Sequence, residues 1–317
     1  MQIGSHMIGS GQPVYVVAEV SSNHCHNFLT ARMLIEAAAG AGADAVKFQT
    51  FMAEEIAVDI PILTGHDAAH DAWVARMGVK TLHDLYRKGG LPRAWHHELK
   101  HVAQEEGIEF LSTPFSVDAA RFLVREIGVP ALKIASGDLT FMPLLEYAAS
   151  TGLPLLVSTG MATMKEVARA VLLRTLWPAC DGRRLCMLHC TSSYPLDPCQ
   201  ANIRALLTMR QELLCEIGYS DHSTDPEIIP ALAVALGAVV YEKHFALANA
   251  LGSPDAGHSL TPAQFRRMVE VIRAVPQWLG DGVKRPQASE AHERLWTRRH
   301  SVDWKRPTEE ARVGKWE

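Results

Sequence analysis

What most constrains this chain is a rhythm. Short apolar, β-branched runs alternate with longer amphipathic stretches from one end to the other, the pattern of an α/β protein with a parallel sheet. Eight strand candidates can be counted: Val14–Val20, Ala45–Thr50, Ile108–Thr113, Ala131–Ser136, Pro154–Thr159, Leu185–Thr191, Leu214–Ser220 and Val239–Phe245. Helical periodicity falls between most of them, over Ala31–Ala41, Trp95–Glu106, Asp118–Ile127, Met142–Ser150, Lys165–Thr175, Ala201–Glu212 and Glu227–Gly237. Eight such units in about 240 residues match the size of a (β/α)8 TIM barrel. A doubly wound open sheet is the alternative, but that fold carries a glycine-rich first turn. The first turn here, Ser21-Ser-Asn-His-Cys-His26, has no glycine. The expected fold is a single barrel domain over residues 1–282.

Two segments depart from the rhythm. Residues 52–92, after the second strand, are polar and much longer than a usual βα connection. Insertions there lie over the active-site face, so this one reads as a partly helical substrate loop or lid. Residues 283–317 are basic, rich in Arg and Trp and poor in apolar periodicity, and read as a short C-terminal arm.

Charge and cysteine usage narrow the partners. The 317 residues carry a net charge of −4 with no long basic or acidic block, so neither nucleic acid nor a membrane surface is favoured, and a small molecule is the expected partner. The six cysteines form no C-x-x-C pair and suit reduced thiols. The N-terminus has no basic segment or apolar signal core, and no run reaches eighteen apolar residues, so a cytoplasmic location is expected.

In a parallel barrel the carboxyl ends of the strands build the active site. Here they carry Glu19, Asn23 and His24; Lys47 and Gln49; Thr113; Lys133, Ser136 and Asp138; Ser158 and Thr159; Thr191, Ser192 and Tyr194; Ser220, Asp221 and His222; Glu242 and His244. Charges in strands buried on both faces are costly unless paired or bound to a ligand. Lys47 and Lys133 both interrupt apolar runs, and with Thr113, Ser136, Ser158 and Ser220 they would cradle a phosphate or carboxylate. The competing reading is that each lysine pairs with a strand carboxylate such as Glu19, Asp138 or Glu242. His222 and His244 end successive strands at matching positions, which favours a divalent metal over two satisfied core histidines. The residues alone thus indicate a barrel enzyme with a metal beside a site for an anionic, phosphorylated substrate.

The strings Val17-Ala-Glu-Val-Ser-Ser-Asn-His24, Ala41-Gly-Ala-Asp-Ala-Val-Lys-Phe-Gln-Thr-Phe51, Phe110-Leu-Ser-Thr-Pro-Phe115, Lys133-Ile-Ala-Ser-Gly-Asp138, Ser158-Thr-Gly-Met-Ala162, Leu188-His-Cys-Thr-Ser-Ser-Tyr-Pro195, Gly218-Tyr-Ser-Asp-His222 and Glu242-Lys-His-Phe245 resemble, in order, the sialic acid synthase family. The resemblance implies condensation of phosphoenolpyruvate with the aldehyde of an N-acylated hexosamine. It also implies a divalent ion, Mn2+ first with Mg2+ or Co2+ as alternatives, on His222 and His244. Lys47, Thr113, Lys133, Ser136, Ser158, Ser192 and Ser220 resemble the phosphoenolpyruvate contacts, and Gln49, Phe115 and Tyr194 the sugar-side contacts. Glu19 resembles a glutamate near the reacting centre, and Asp138 stands where the family has glutamate. A homodimer is implied as well.

Departures from the family pattern are local. Cys25-His26 replaces Asn-Gly, so the first loop is expected to differ in shape. The family's Pro-Asp-His-x-x-Ser-Leu becomes Pro254-Asp-Ala-Gly-His-Ser-Leu260, which keeps Asp255 as a substrate contact but puts Ala256 at the histidine and His258 two places later. Arg298-Arg-His-Ser301 resembles the lead into an antifreeze-like domain, yet about sixteen residues follow, so no such domain is expected.

Three other functions compete. His24-Cys-His26 with Lys133 resembles the two-metal amidohydrolases, but their strand-five histidine and strand-eight aspartate are missing. A sister condensing enzyme acting on a phosphorylated aldose would need a second basic cluster, for which Arg76, Lys80, Arg87 and Lys88 are available. A non-catalytic sugar-binding barrel would have little use for Glu19, two lysines and two histidines.

Overall fold

The computed structural model describes residues 1–65, 68–175, 184–248, 252–299, 304–308 and 311. They fall into two units, Met1–Pro276 and Gln277–Glu317.

All eight expected strands form in the first unit, as β1 (Tyr15–Glu19), β2 (Ala45–Thr50), β3 (Glu109–Pro114), β4 (Leu132–Ile134), β5 (Leu155–Ser158), β6 (Leu185–His189), β7 (Glu216–Asp221) and β8 (Val240–His244). They make one parallel sheet in the order β3-β2-β1-β8-β7-β6-β5-β4. β3 and β4 lie side by side, so the sheet comes round into a nearly closed (β/α)8 barrel. The outer helices are α1 (Phe28–Gly40), α2 (His96–Glu105), α3 (Val117–Phe122), α4 (Met142–Ser150), α5 (Met164–Thr175), α6 (Ala205–Glu212), α7 (Ile228–Ala235) and α8 (Pro262–Leu279). α8 packs Phe265, Met268 and Ile272 into the core, and the Arg273 guanidinium grips both carboxylate oxygens of Asp44 at 2.8 and 2.7 Å.

Successive side chains of a strand point to opposite faces, so alternate residues line the barrel interior. Near its amino end that interior is apolar: Tyr15, Val17, Ala45, Leu111, Leu156, Leu188 and Val240 pack together. Two residues further along the same strands the inward positions turn polar, giving Glu19, Lys47, Thr113, Ser158 and Glu242. Out-facing Val16, Val46, Phe48, Phe110, Ile134, Met187 and Tyr241 meet the helices in the larger core.

A two-stranded ribbon, Gln2–Ile3 paired with His6–Met7, was not evident from sequence periodicity. Two-residue strands are too short to show a period. Ile3 from this ribbon and Ile8 just after it are fully buried in the interior apolar cluster, so the segment stoppers the amino end of the barrel.

The insertion holds the short helices Ala53–Ile56, Ala68–Met77 and Leu82–Gly89. The last begins at Thr81, whose hydroxyl accepts the Asp84 N–H at 3.0 Å, and returns to the strand tips. There the Ser22 hydroxyl donates to Gly89 O at 3.4 Å, and Phe51 meets the Tyr86 and Phe115 rings edge-on at 5.5 and 5.4 Å.

The second unit holds a 3-10 turn at Ala288–Glu290 and a helix at Ala291–Thr297, with no strand among its described residues. His300 and Ser301 of the Arg-Arg-His-Ser string, and Cys180, lie outside the described residues. No helix among the described residues is long and apolar enough to cross a membrane.

Candidate active site

The polar inward layer is an alternating chain of charge. Ladder register sets Glu19 beside Lys47, and His244 beside Glu19, on neighbouring strands. Lys47 Nζ lies 2.5 Å from Glu19 Oε2 and 3.7 Å from Glu242 Oε2, and donates to Thr113 Oγ1 at 2.9 Å. Lys133 Nζ lies 3.5 Å from Glu242 Oε1 and donates to Ser158 Oγ at 2.7 Å. Ser220 Oγ donates to Glu242 Oε1 at 3.1 Å, and Gln49 Nε2 donates to Glu19 Oε1 at 2.9 Å. Glu19, Lys47, Lys133 and Glu242 are all at most 5% exposed. Both lysines are therefore paired, with Glu19 and Glu242 and not with Asp138.

Burial sets the protonation of this chain. It pushes the Glu19 carboxyl above its usual range, and Lys47 only partly opposes it. Burial likewise penalises the Lys47 cation, but Glu19 and Glu242 outweigh it and hold the ammonium above its ordinary value. Lys133 is lowered by burial because Glu242 compensates only in part and Lys47 repels it. Burial would raise Glu242 too, yet the two lysines keep it below its ordinary value. Of the two glutamates, Glu19 takes a proton first.

Above this layer lies a histidine cluster around Tyr194. The Tyr194 ring stands 4.2 Å from His222, 5.0 Å from His258 and 6.2 Å from His244. His222 and His244 have ring centroids 5.7 Å apart. His222 Nδ1 lies 2.7 Å from Thr191 O, a pure acceptor, so Nδ1 carries the hydrogen and Nε2 the lone pair. Burial first, opposed by that carbonyl, lowers His222 to about 4. The Nδ1 atom of His244 and the Nε2 atom of His258 are buried with no hydrogen-bond partner. Imidazole nitrogens without partners on His244 and His258, with the Asp255 carboxylate nearby, suit a first-row divalent cation; His222, the other ligand that the family resemblance implies, lies outside that group.

One cavity brings together Glu19, Lys47, Gln49, Thr113, Phe115 and Lys133 with Ser136, Ser158, Tyr194, Ser220, His222 and His244. Ser136 Oγ there accepts the Gly160 N–H at 3.0 Å. Asp138, Ser192 and Asp255 do not line that cavity. Asp138 ends a 3-10 turn after β4, and burial raises its carboxyl to about 6. Asp255 accepts the Ser22 N–H at 3.2 Å in the loop after β8.

Three residues carry more of the site than the sequence assigned them. Glu242 sits between both lysines. His258 reaches the histidine cluster from a loop. Tyr86 of the insertion is raised by burial and then by the charges of Asp138 and Asp255, which sets it at the edge of the site. Strand parity could have singled out Glu242, since it lies two residues from His244; nothing in the sequence marked Tyr86. Parity also removes one tip residue: Asp221 faces outward, where Lys243 Nζ meets its Oδ2 at 2.8 Å and the Tyr241 hydroxyl donates to the same oxygen.

A second cavity, of about 510 Å3, opens beside the site between the first loop, the insertion and the loop after β8. Its walls include Ser22, Cys25, Arg87, Lys88 and Pro254.

Known proteins resemble this chain over most of its length. It is 36% identical to N,N'-diacetyllegionaminic acid synthase of Legionella pneumophila, over 92% of this chain and 80% of that protein. It is 34% identical to N-acetylneuraminate-9-phosphate synthase of Mus musculus, over 87% of this chain and 74% of that protein. The crystal structure of an N-acetylneuraminic acid (sialic acid) synthetase from Leptospira borgpetersenii in complex with citrate superposes with a TM-score of 0.78 at 34% identity, covering 92% of this chain and 94% of that one. With the model of the NeuB family matching residues 34–284 as well, the chain belongs to the NeuB family.

Proposed function

We propose that the protein condenses phosphoenolpyruvate with the open-chain aldehyde of an N-acylated, ManNAc-like hexosamine, giving a nonulosonic (sialic-type) acid and phosphate. The observation that carries this reading is the Glu19–Lys47–Glu242–Lys133 chain at the base of a cavity whose rim holds His222 and His244. Membership of a family of sugar-acid synthases supports it.

Lys47 and Lys133 bind the anionic ends of phosphoenolpyruvate, with the cavity-lining hydroxyls of Thr113, Ser136, Ser158 and Ser220. Gln49, Phe115 and Tyr194, which line that cavity, orient the sugar. A divalent cation, manganese first with Mg2+ or Co2+ as alternatives, would be held by His222 and His244 and supplies polarisation of the aldehyde oxygen. The enol carbon then forms the new C–C bond to the aldehyde carbon, and that oxygen takes a proton. One water adds at C2, and phosphate leaves as its C2–O bond breaks. Glu19 is the proton carrier, because burial already raises its proton affinity. Asp138 lies at the edge of the site and holds the acceptor by a hydrogen bond.

A second reading, with a phosphorylated acceptor, is favoured by Arg87 and Lys88 in the wall of the neighbouring cavity. One experiment separates the two. Phosphate release from phosphoenolpyruvate is followed with metal-stripped protein, with and without manganese, against N-acylated hexosamines, their 6-phosphates and simple aldoses. We expect manganese-dependent release with an unphosphorylated N-acyl sugar. Release only with a 6-phosphate would select the second reading, and none with any acceptor, in folded protein, would overturn both.

A further inference from the structure

β8 ends at His244, and Leu260 lies against that end. The Leu260 N–H donates to His244 O at 2.9 Å, and the Ala246 N–H donates to Leu260 O at 3.0 Å. That pairing fixes His258, two residues before Leu260, against the end of β8. The loop is pinned a second time from the first turn of the barrel, where Asn23 Nδ2 donates to Phe245 O at 3.0 Å and to Ser259 Oγ at 2.9 Å. Ser259 Oγ in turn donates to Asp255 O at 2.6 Å.

The outcome is a tight group. The His244 and His258 rings stand 4.5 Å apart, and one ligand atom from each of His244, Asp255 and His258 lies within 4.8 Å of the others. His258 is 4% exposed and its Nε2 has no hydrogen-bond partner; His244 is 8% exposed and its Nδ1 has none either. Asp255 Oδ1 lies 3.6 Å from His258 Nε2, within ion-pair range but beyond a hydrogen bond. Two buried imidazole nitrogens without partners, one of them close to the Asp255 carboxylate, are costly unless a ligand satisfies them. Donors about 2.1 Å from a shared cation lie within about 4.2 Å of each other, so the group closes on an ion with small side-chain rotations.

We infer that His258 and Asp255 bind the divalent cation together with His244, adding a third imidazole and a carboxylate from one loop to the pair His222 and His244. The inference rests on the metal-dependent reading of the site given above. It concerns this chain's own loop, where Ala256 stands at the histidine of the family pattern and His258 comes two places later.

The test uses manganese alone, titrated into metal-stripped protein by calorimetry and by loss of the free-ion electron paramagnetic resonance signal. His258→Ala is expected to weaken manganese binding more than about tenfold, and Asp255→Asn to weaken it as well. Pulsed resonance of the bound ion is expected to show one imidazole nitrogen fewer in His258→Ala. Should that variant fail to fold in its metal-free form, His258→Gln keeps the side-chain volume and carries the same expectation. Manganese affinity and nitrogen coupling unchanged in the folded variant would overturn the inference and leave His258 as a packing ring against Tyr194; so would a wild-type protein that binds no manganese. His258-dependent binding in a protein that releases no phosphate with any acceptor would uphold this inference while removing the proposed reaction. Manganese-dependent release with binding indifferent to His258 would do the reverse.

Discussion

Lys47 lies against Glu19 and Glu242 at 2.5 and 3.7 Å, so removing it leaves two buried carboxylates without their shared counter-charge. Breaking such an arrangement from one side costs about 3–5 kcal/mol. Lys47→Ala is therefore expected to lower stability by about 3 kcal/mol in urea denaturation as well as to weaken phosphoenolpyruvate binding. The double variant Lys47→Met with Glu19→Gln should recover much of that loss. A single variant as stable as the wild type would mean that Glu19 and Glu242 are already neutral. Two residues here show what a sequence can and cannot convey. Lys47 was legible because a lysine inside an apolar strand has few explanations. Glu242 also stood at a strand tip, but its place between two lysines depends on strands 1, 2, 4 and 8 converging, which no local pattern encodes.

Elements were legible in proportion to their periodicity. All eight strands could be read because β-branched runs of four to six residues separate cleanly from helical stretches, whereas β4 keeps only Leu132–Ile134 of its expected span. The expected helix at 201–212 begins at Ala205, because Asn202 takes a left-handed φ of +44° and cannot extend the helix backward. Close packing of elements depends on single positions of another kind. In β7, a Cβ on Gly218 would lie 2.5 Å from Leu188 Cδ2 and 2.7 Å from the Val240 carbonyl oxygen. The leucine can turn aside, but the carbonyl belongs to the ladder of β8. Gly218→Ala is thus expected to cost about 1–3 kcal/mol, read as a lowered melting temperature. It should also impair turnover, since Ser220 and His222 follow on the same strand. An unchanged melting temperature would mean that β7 and β8 can separate freely.

For the whole molecule, acid is the stress the interior is least prepared for. His96 is fully buried, with Nδ1 donating to Pro92 O at 3.2 Å and Nε2 accepting from the Thr50 hydroxyl at 2.7 Å, an arrangement complete only for the neutral ring. Burial above all lowers it to about 4, and burial lowers His24 to about 4 as well. Between pH 6.5, where the unfolded rings take up protons, and about 4, where the folded ones do, the unfolded chain binds more protons. Stability therefore falls as pH falls through that window, by up to roughly 3 kcal/mol for each ring. Melting temperatures from pH 7.5 to 4.5 should decline, and the decline should be shallower in His96→Gln. Parallel curves for the two proteins would sink this account. The sequence offered no sign of His96, since a histidine in an amphipathic helix reads as surface until the packing is known.

The small ribbon at the amino terminus has a reach beyond the apolar contacts it makes. With Ile3 and Ile8 lodged in the lower interior, the barrel is a blind vessel with one mouth, and the charged layer forms its floor. Traffic in both directions passes the histidine cluster, the insertion and the loop after β8.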